Sequence, residues 1–263
     1  MKQDVDRLST YYQTDNIEYN RLTCDRTNRL EEITTLCYFN AHIPAGASVL
    51  DACAAYGVYA FPLAENGYKV TAGDVVAHHV EALKEKNKAN PILQEIYHGS
   101  ICDLSRFADN SIDAVLNLGA YYHITDKSER DKSIIESKRV LKSGGLVFVA
   151  YLPKHANFIK YCDGWKDRTK DMDLYLKRGH MDDDSLFYAT TPEDIESELM
   201  GFGFEIVKNV ATDGLKYVFR KALNELPEDL YQKFLAHHFE MCERRTLLGY
   251  SEHCLLIGRK NHD

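Results

Sequence analysis

The strongest structural pattern of the chain lies in Ser48-Val-Leu-Asp51-Ala-Cys-Ala-Ala-Tyr-Gly57 and the residues that follow it to Asp74. Val49-Leu50 has the character of a buried strand, and the small residues up to Gly57 predict a tight turn. A helix is predicted over Val58–Glu65, because its apolar residues recur at helical spacing and Asn66-Gly67 ends it. A second strand then runs to Asp74, so the segment predicts a strand-helix-strand unit of a parallel sheet.

An acid stands at the end of each of these two strands, where open α/β sheets bind their ligands. A dinucleotide site needs three glycines in the first turn, and only Gly57 is present. Asp51 would repel a pyrophosphate but suits an ammonium or a sulfonium, while Asp74 is placed to accept hydrogen bonds from ribose hydroxyls. These two acids fit S-adenosylmethionine better than a nicotinamide dinucleotide.

The segment resembles the first two motifs of class I S-adenosylmethionine-dependent methyltransferases. The resemblance continues from about Asn28 to Ala150, through Gly99-Ser-Ile-Cys102-Asp103-Leu, Phe107–Ile124 and Arg139–Ala150. It implies an α/β, Rossmann-like fold with a seven-stranded, mostly parallel sheet and helices on both faces. The last strand, near Cys254–Ile257, is expected to lie antiparallel at the sheet edge.

Two domain segments are expected from this organisation. Residues 1–42 form an N-terminal helical lid segment, and residues 43–263 form the methyltransferase domain. An insertion at about 151–190, rich in aromatic and charged residues, follows the fifth strand and could fold over the site as a cap. A further helix is predicted to start at Thr191-Pro192, because it combines a capping residue with proline at the first helical position.

The resemblance implies a set of side chains around the cofactor. Cys102 and Asp103 would flank the adenine, although Asp103 could equally cap a turn. Arg29 would fork onto the cofactor's carboxylate, with Arg21 and Arg26 as competitors. The expected cofactor-binding residues are Tyr12, Tyr19, Arg29, Asp51, Ala52, Cys53, Gly57, Asp74, Val75, Cys102, Asp103, Asn117 and Leu118.

Tyr121-Tyr122-His123 follows the fourth strand, where a transferred methyl group would face its acceptor. His123 could remove a proton from an N–H or O–H nucleophile, or it could hold the loop by one hydrogen bond. Methyl transfer from a sulfonium needs little acid–base help, so both roles stay open. The expected substrate pocket consists of Tyr121, Tyr122, His123, Tyr151, His155 and Trp165.

The first turn departs from the family pattern at Cys53 and Ala55, where the family usually has glycine. A Cβ there takes room beside the ligand and restricts the backbone of the turn. Because of Asp51, Asp74 and the Asn117–Ile124 loop, the sequence nevertheless favours methyl transfer to an N, O or S nucleophile of a small molecule. It also leaves open a cofactor-binding protein without turnover, and a methyltransferase acting on RNA or protein.

The composition of the chain limits the kinds of partner that we expect it to bind. The net charge of −8 disfavours a broad phosphate-binding surface, so no nucleic acid is expected. The seven cysteines contain no C-x-x-C pair and predict reduced thiols in a cytoplasmic protein. We expect no membrane attachment, because no apolar run is long enough to span a bilayer. The histidines lack acids at metal-ligand spacing, so no metal is expected, and the protein is expected to be a monomer or a homodimer.

Overall fold

A twisted, mostly parallel sheet organises the chain in the computed structural model, which describes residues 7–12, 20–161, 169–180 and 185–262. Residues 7–12 are helical. The strands in the described part of the chain are β1 (Ser48–Asp51), β2 (Lys69–Asp74), β3 (Glu95–His98), β4 (Ile112–Asn117), β5 (Leu141–Pro153), β6 (Ala189–Thr190), β7 (Phe204–Ala211) and β8 (Cys254–Lys260).

Helices connect these strands in the order expected of a doubly wound fold. They are α1 (Arg26–His42), α2 (Ala60–Glu65), α3 (Ala77–Ala89), α4 (Ala120–His123), α5 (Lys127–Val140), α6 (Lys154–Tyr161), α7 (Thr169–Arg178), α8 (Pro192–Gly201), α9 (Lys216–Glu225), α10 (Glu228–Met241) and α11 (Arg245–Leu248). None of the helices in the described ranges combines the length and the apolar character that crossing a bilayer requires.

The strand order is β3-β2-β1-β4-β5-β8-β7, and the two-residue β6 pairs with the end of β5. All neighbours are parallel except β8, which is antiparallel to both β5 and β7. The α/β fold with its seven-stranded sheet is therefore confirmed. The chain reverses its direction of strand addition between β1 and β4, and open α/β folds bind ligands at such a point.

The position predicted for the last strand is wrong, although its antiparallel direction is correct. β8 lies between β5 and β7, and β7 forms the edge. The physical reason is visible in its burial, because Cys254 through Ile257 are all at most 1% exposed. Such a strand is buried on both faces of the sheet and pairs on both sides.

Alternate residues of the strands feed two cores, one on each face. Val49 belongs to the core that also contains Phe39 of α1 and Leu83 of α3. Leu50 belongs to the opposite core, with Ile134 of α5. Helices therefore cover both faces of the sheet, as predicted.

Local sequence signals place some of the helix ends. Thr191 caps α8 by accepting a hydrogen bond from Asp194 N, with Pro192 at the start of the helix, as predicted. The helix predicted from Val58 begins only at Ala60, since Val58 and Tyr59 still belong to the turn that contains Gly57 at φ +76°. A small satellite core of Leu152, Tyr175 and Ala189 joins the α6–β6 segment to the loop that carries Tyr122.

Candidate active site

An elongated depression at the carboxyl ends of β1, β2 and β4 contains two cavities. The inner cavity has a volume of about 170 Å³ and lies at the switch point of the sheet. The outer cavity, about 580 Å³, is bounded by α1, α6 and α9. Tyr12, Tyr122 and His123 line both, so these three residues stand at the junction.

Asp74 lines the inner cavity, where the sequence predicted the ribose. Its carboxylate accepts hydrogen bonds from the backbone N–H groups of Ala55 and Val76, both at 2.8 Å. His79 Nδ1 lies 3.2 Å from Asp74 Oδ1 but makes no hydrogen bond of good geometry. The preceding Gly73 packs directly under the Tyr97 ring and has no room for a Cβ. The position of the carboxylate is thus fixed from several sides.

Asp51 is placed differently from the expectation that it faces the ligand directly. It is 1% exposed and lies behind the first turn, outside the residues that line either cavity. The Cys53 N–H holds the carboxylate back under the turn. Burial raises the pKa of Asp51 to about 7, the Cys53 N–H opposes this, and the charge of Asp74 raises it further. Its Oδ1 has no hydrogen-bond partner among the described residues.

The first turn carries backbone strain at the position that the family gives to glycine. Ala55 has φ +43°, in the left-handed region that side chains disfavour, and Gly57 follows at φ +76°. Ala52, Cys53 and Ala55 line the inner cavity, whereas Gly57 does not. A Cβ on Gly57 would overlap Phe61 and Leu83, so this glycine serves the packing of the turn.

Ser100, Ile101 and Cys102, the residues around the predicted adenine position, line the inner cavity together with Val75. Asp103 does not reach it, which corrects the expectation that its carboxylate flanks the adenine. Asp103 Oδ1 accepts a hydrogen bond from Ser105 N at 3.1 Å, and the Ser105 contacts hold the pKa of this exposed carboxyl low. The side chain caps the next turn, as its alternative interpretation proposed.

Asn117 and Leu118 separate at the end of β4. Leu118 lines the inner cavity, but Asn117 is fully buried away from it. Its Nδ2 donates to Ser133 Oγ at 3.2 Å and its Oδ1 accepts from Tyr121 N at 3.1 Å. Asn117 therefore fixes the turn into α4 instead of lining the cofactor cavity, which corrects the prediction.

Three of the expected acceptor residues point elsewhere. Tyr121 is fully buried and donates to Glu198, and Tyr151 is fully buried and donates to Asn209 Oδ1 at 2.9 Å. His155 is exposed on α6 and lines neither cavity. Alternation along β5 and the phase of the short helices decide these directions. Trp165 and Tyr19 lie outside the described residues.

His123 is held by a hydrogen bond at each ring nitrogen. Nδ1 lies 2.9 Å from the carbonyl oxygen of Leu186, and Nε2 lies 2.6 Å from the hydroxyl of Tyr12. A carbonyl only accepts, so Nδ1 carries the proton and Nε2 accepts from Tyr12. Burial lowers the pKa of His123 to about 4, against the upward effect of the Leu186 bond. The imidazole is neutral at pH 7, with its lone pair at the junction of the cavities.

Arg29 does not approach the site. The buried face of α1 contains Thr27, Leu30, Glu31, Thr34 and Thr35, and Arg29 lies on the other side, 56% exposed. The capping of α1 by Asp25 fixes this phase. The prediction that Arg29 binds the cofactor's carboxylate is therefore corrected.

Its competitor Arg21 occupies the place expected of Arg29. Arg21 lines the outer cavity and also a small cavity of about 50 Å³ under the first turn, beside Cys53 and Ala55. It donates to both oxygens of Glu31, at 2.7 and 3.2 Å. Arg21 is thus positioned to reach a ligand carboxylate next to the turn.

A buried ionic cluster forms one wall of the outer cavity, and sequence reasoning missed it. Lys216 Nζ lies 2.7 Å from Asp213, 3.6 Å from Glu252 and 3.9 Å from Glu31. His253 Nδ1 lies 2.8 Å from Asp213 Oδ2. Although burial favours their neutral forms, Lys216 and its neighbours hold the pKa of Asp213 far below its usual range, and the carboxylates hold that of Lys216 high.

This cluster also corrects one argument about metals. The sequence indicated no acid or cysteine at metal-ligand spacing near His253, yet the fold brings Glu31 and Asp213 to it, with potential ligand atoms within 4.8 Å of one another. The Lys216 ammonium stands at the same place and balances the carboxylates. The residues come from α1, from the loop after β7 and from the loop before β8, so no local pattern could have revealed them.

Comparisons with known proteins agree with this geometry. Residues 50–149 match the family model described as a methyltransferase domain. The chain is 24% identical over 189 residues to a ubiquinone biosynthesis O-methyltransferase of Rickettsia akari (strain Hartford), covering 68% of this chain and 70% of that protein.

Solved structures share the fold. An S-adenosylmethionine-dependent methyltransferase of Methanosarcina mazei superimposes with a TM-score of 0.61 at 18% identity, covering 86% of this chain and 98% of that one. The cyclase SpnF superimposes with a TM-score of 0.57 at 19% identity, covering 89% and 81%. The match over residues 50–149 and the shared fold support a class I S-adenosylmethionine-dependent methyltransferase family for this chain.

The residues present fit S-adenosylmethionine as the cofactor. Asp74 lines the inner cavity with a carboxylate that suits a ribose, and the apolar Val75 and Ile101 in the same lining suit a flat base. The Arg21 guanidinium lies beside the first turn, where it can donate two hydrogen bonds to a ligand carboxylate. Behind the turn, Asp51 Oδ1 is buried and has no hydrogen-bond partner among the described residues. The protein is therefore a methyltransferase with S-adenosylmethionine as its cofactor.

Proposed function

We propose that the protein transfers the methyl group to an N, O or S nucleophile of a small molecule that binds in the outer cavity. The observation that supports this most directly is the junction at His123, where the two cavities meet. When bound, S-adenosylmethionine supplies an electrophilic methyl group, whose bond to sulfur breaks as the bond to the nucleophile forms. The outer cavity, at about 580 Å³, has the size of a small-molecule site.

In this proposal His123 removes the proton of an O–H or N–H nucleophile. Its Nδ1 bond to Leu186 directs the lone pair of Nε2 toward the junction. The hydroxyl of Tyr12 already occupies the position of such a nucleophile, 2.6 Å from Nε2. Uptake of the proton converts the ring to an imidazolium, which the charge of Asp74 stabilises.

In this proposal the rest of the lowering of the activation barrier comes from positioning donor and acceptor and from excluding water. Residues 7–12 place Leu8 and Tyr12 over the inner cavity, and Tyr11 packs edge-on against Phe187 at 5.9 Å. Tyr11 belongs to the predicted lid and Phe187 to the predicted cap, and their contact supports a shared role for the two segments. We propose that they close around donor and acceptor together.

Calorimetry with S-adenosylhomocysteine tests the cofactor site. We expect binding that is weakened at least tenfold by Asp74→Ala, since this removes the ribose-binding carboxylate, and hardly changed by Asp103→Ala. Absence of binding at millimolar ligand would refute the proposal.

Turnover is tested with S-adenosylmethionine and a panel of small phenols, amines and thiols, by measuring release of S-adenosylhomocysteine. We expect His123→Gln to lower kcat for O–H acceptors far more than for thiols, because a thiol loses its proton more readily. Tight cofactor binding with no release for any acceptor would instead favour a binding protein without turnover. Cys53 and Ala55 at the first turn are the features that favour this alternative.

A further inference from the structure

Most of the charged residues that line the outer cavity are cations. Arg21, Lys160, Lys216 and Arg220 line it, and Glu252 is the one carboxylate among the lining residues of the described chain. This contrasts with the protein as a whole, which carries a net charge of −8. Cavity walls of one sign with apolar surroundings concentrate ligands of the opposite sign.

Carboxylates behind the wall hold these cations in place. Arg21 is bound by Glu31, and Arg220 Nη2 lies 3.0 Å from Asp25 Oδ2. Lys216 is held by Asp213, which is fully buried. None of these three acids lines the outer cavity. Glu252 is the exception, since it lines the cavity and lies 3.5 Å from Lys160 Nζ and 3.6 Å from Lys216 Nζ. Among the described residues, the lining itself thus carries four cations and one carboxylate, and the other three acids stand behind it.

This arrangement suits an anionic ligand more than a neutral one. Because Lys216 is only 6% exposed and paired, its ammonium is already desolvated and fixed. Arg220 is largely exposed at the mouth, where its guanidinium can turn a second edge toward a carboxylate or a phosphate. Asn157, buried beside Lys160, adds a polar boundary on the same wall.

We propose that the methyl acceptor carries an anionic group, a carboxylate or a phosphate, which binds between Lys160, Lys216 and Arg220 while its nucleophile lies at His123. The inference rests on the proposed function, because it assigns the outer cavity to the acceptor. It specifies the class of acceptor as a small anion with its nucleophile at the opposite end.

The test uses matched pairs of aromatic fragments, each carboxylic acid with its primary amide and each phosphate monoester with its parent phenol. Binding is measured by ligand-observed NMR and then by calorimetry, on protein saturated with S-adenosylhomocysteine. We expect the anions to bind about tenfold more tightly than their neutral partners, since charge-assisted hydrogen bonds are the stronger ones. A comparison of the carboxylic acids with the phosphate monoesters shows which anionic group binds more tightly.

Two variants locate the site. Arg220→Gln should abolish most of the preference for anions, and Lys160→Gln should act in the same direction. Lys221→Gln, an equal change of charge on the same helix at an exposed residue that does not line the cavity, should leave the preference unchanged.

Equal binding of acids and amides would overturn the inference, as would a preference for amines, equal effects of Arg220→Gln and Lys221→Gln, or no binding of any anion at about 5 mM. The titrations are repeated without S-adenosylhomocysteine. Failure of S-adenosylhomocysteine to bind then speaks against the proposed function, while the anion preference is still measured on its own.

Discussion

The substitution Asp51→Asn should make the protein more stable without ligand at alkaline pH. Asp51 is buried, one of its oxygens has no partner among the described residues, and its pKa is raised from 3.8 to about 7. At about 1.4 kcal/mol per pKa unit, ionising this carboxylate in the folded state costs up to about 4 kcal/mol. Asparagine has nearly the same shape and never carries that charge.

The direction in which stability changes with pH follows from the linkage between proton binding and folding. A raised folded-state pKa means that the stability due to the protonated carboxyl is fully present below about pH 4 and is lost as the pH rises through about 7. Urea unfolding of the wild type and Asp51→Asn, measured across this range, should give a difference that grows with pH and becomes constant above about pH 7.

A second strand acid provides the control of opposite sign. Asp113 accepts hydrogen bonds from Ser48 and pairs with Lys142, and although burial opposes them these contacts lower the pKa of Asp113. Asp113→Asn should therefore destabilise the protein at pH 8. A pH-independent difference for Asp51→Asn, or a loss of stability at pH 8, would refute the reasoning about Asp51.

Three further substitutions test the turn, the strand beside it and the junction. Ala55→Gly should raise the free energy of unfolding by about 0.5–1 kcal/mol in urea titrations, since glycine accepts the positive φ. Gly73→Ala should lower it by about 1–3 kcal/mol, because the new Cβ overlaps the Tyr97 ring, and adding Tyr97→Leu should recover part of the loss. Tyr12→Phe should raise the pKa of His123 from about 4, measured by NMR titration, because the phenol no longer donates to the neutral ring.

Matched controls accompany these variants. Ala54→Gly changes a neighbouring buried residue without a positive φ and should destabilise, so equal effects at both positions would contradict the strain argument. Tyr11→Phe should leave the pKa of His123 unchanged, because its ring lies against Phe187. An unchanged pKa in Tyr12→Phe would show that the phenol does not determine the protonation of the imidazole.

Local patterns predicted much of the fold. The β1–β2 unit, the Thr191-Pro192 helix start and the acid at the end of β2 all depend on residues close together in the chain. The position of β8 was wrong, because pairing on both sides of a strand depends on partners more than 40 residues away.

Side-chain directions in the site were harder to predict. Tyr121 and Tyr122 are neighbours, yet one packs in the core with Glu198 and the other lines the cavities, since adjacent residues of a helix point in different directions. Arg21 precedes α1 and lines the outer cavity, whereas Arg29 lies on the exposed side of α1. The cationic wall joins α6, α9 and the chain before α1, and its existence depends on tertiary packing that no short pattern encodes.

The hydrogen bond between Tyr12 and His123 has a consequence for the affinity with which an acceptor binds. The phenol is tethered to the chain and therefore competes for Nε2 at a high effective concentration, so that under the proposed function an incoming acceptor would have to displace it. The measured affinity for the acceptor then contains the free energy of this displacement, and weak acceptors leave the imidazole capped. Selectivity among acceptors then depends in part on how well each acceptor competes with the Tyr12 hydroxyl for His123 Nε2.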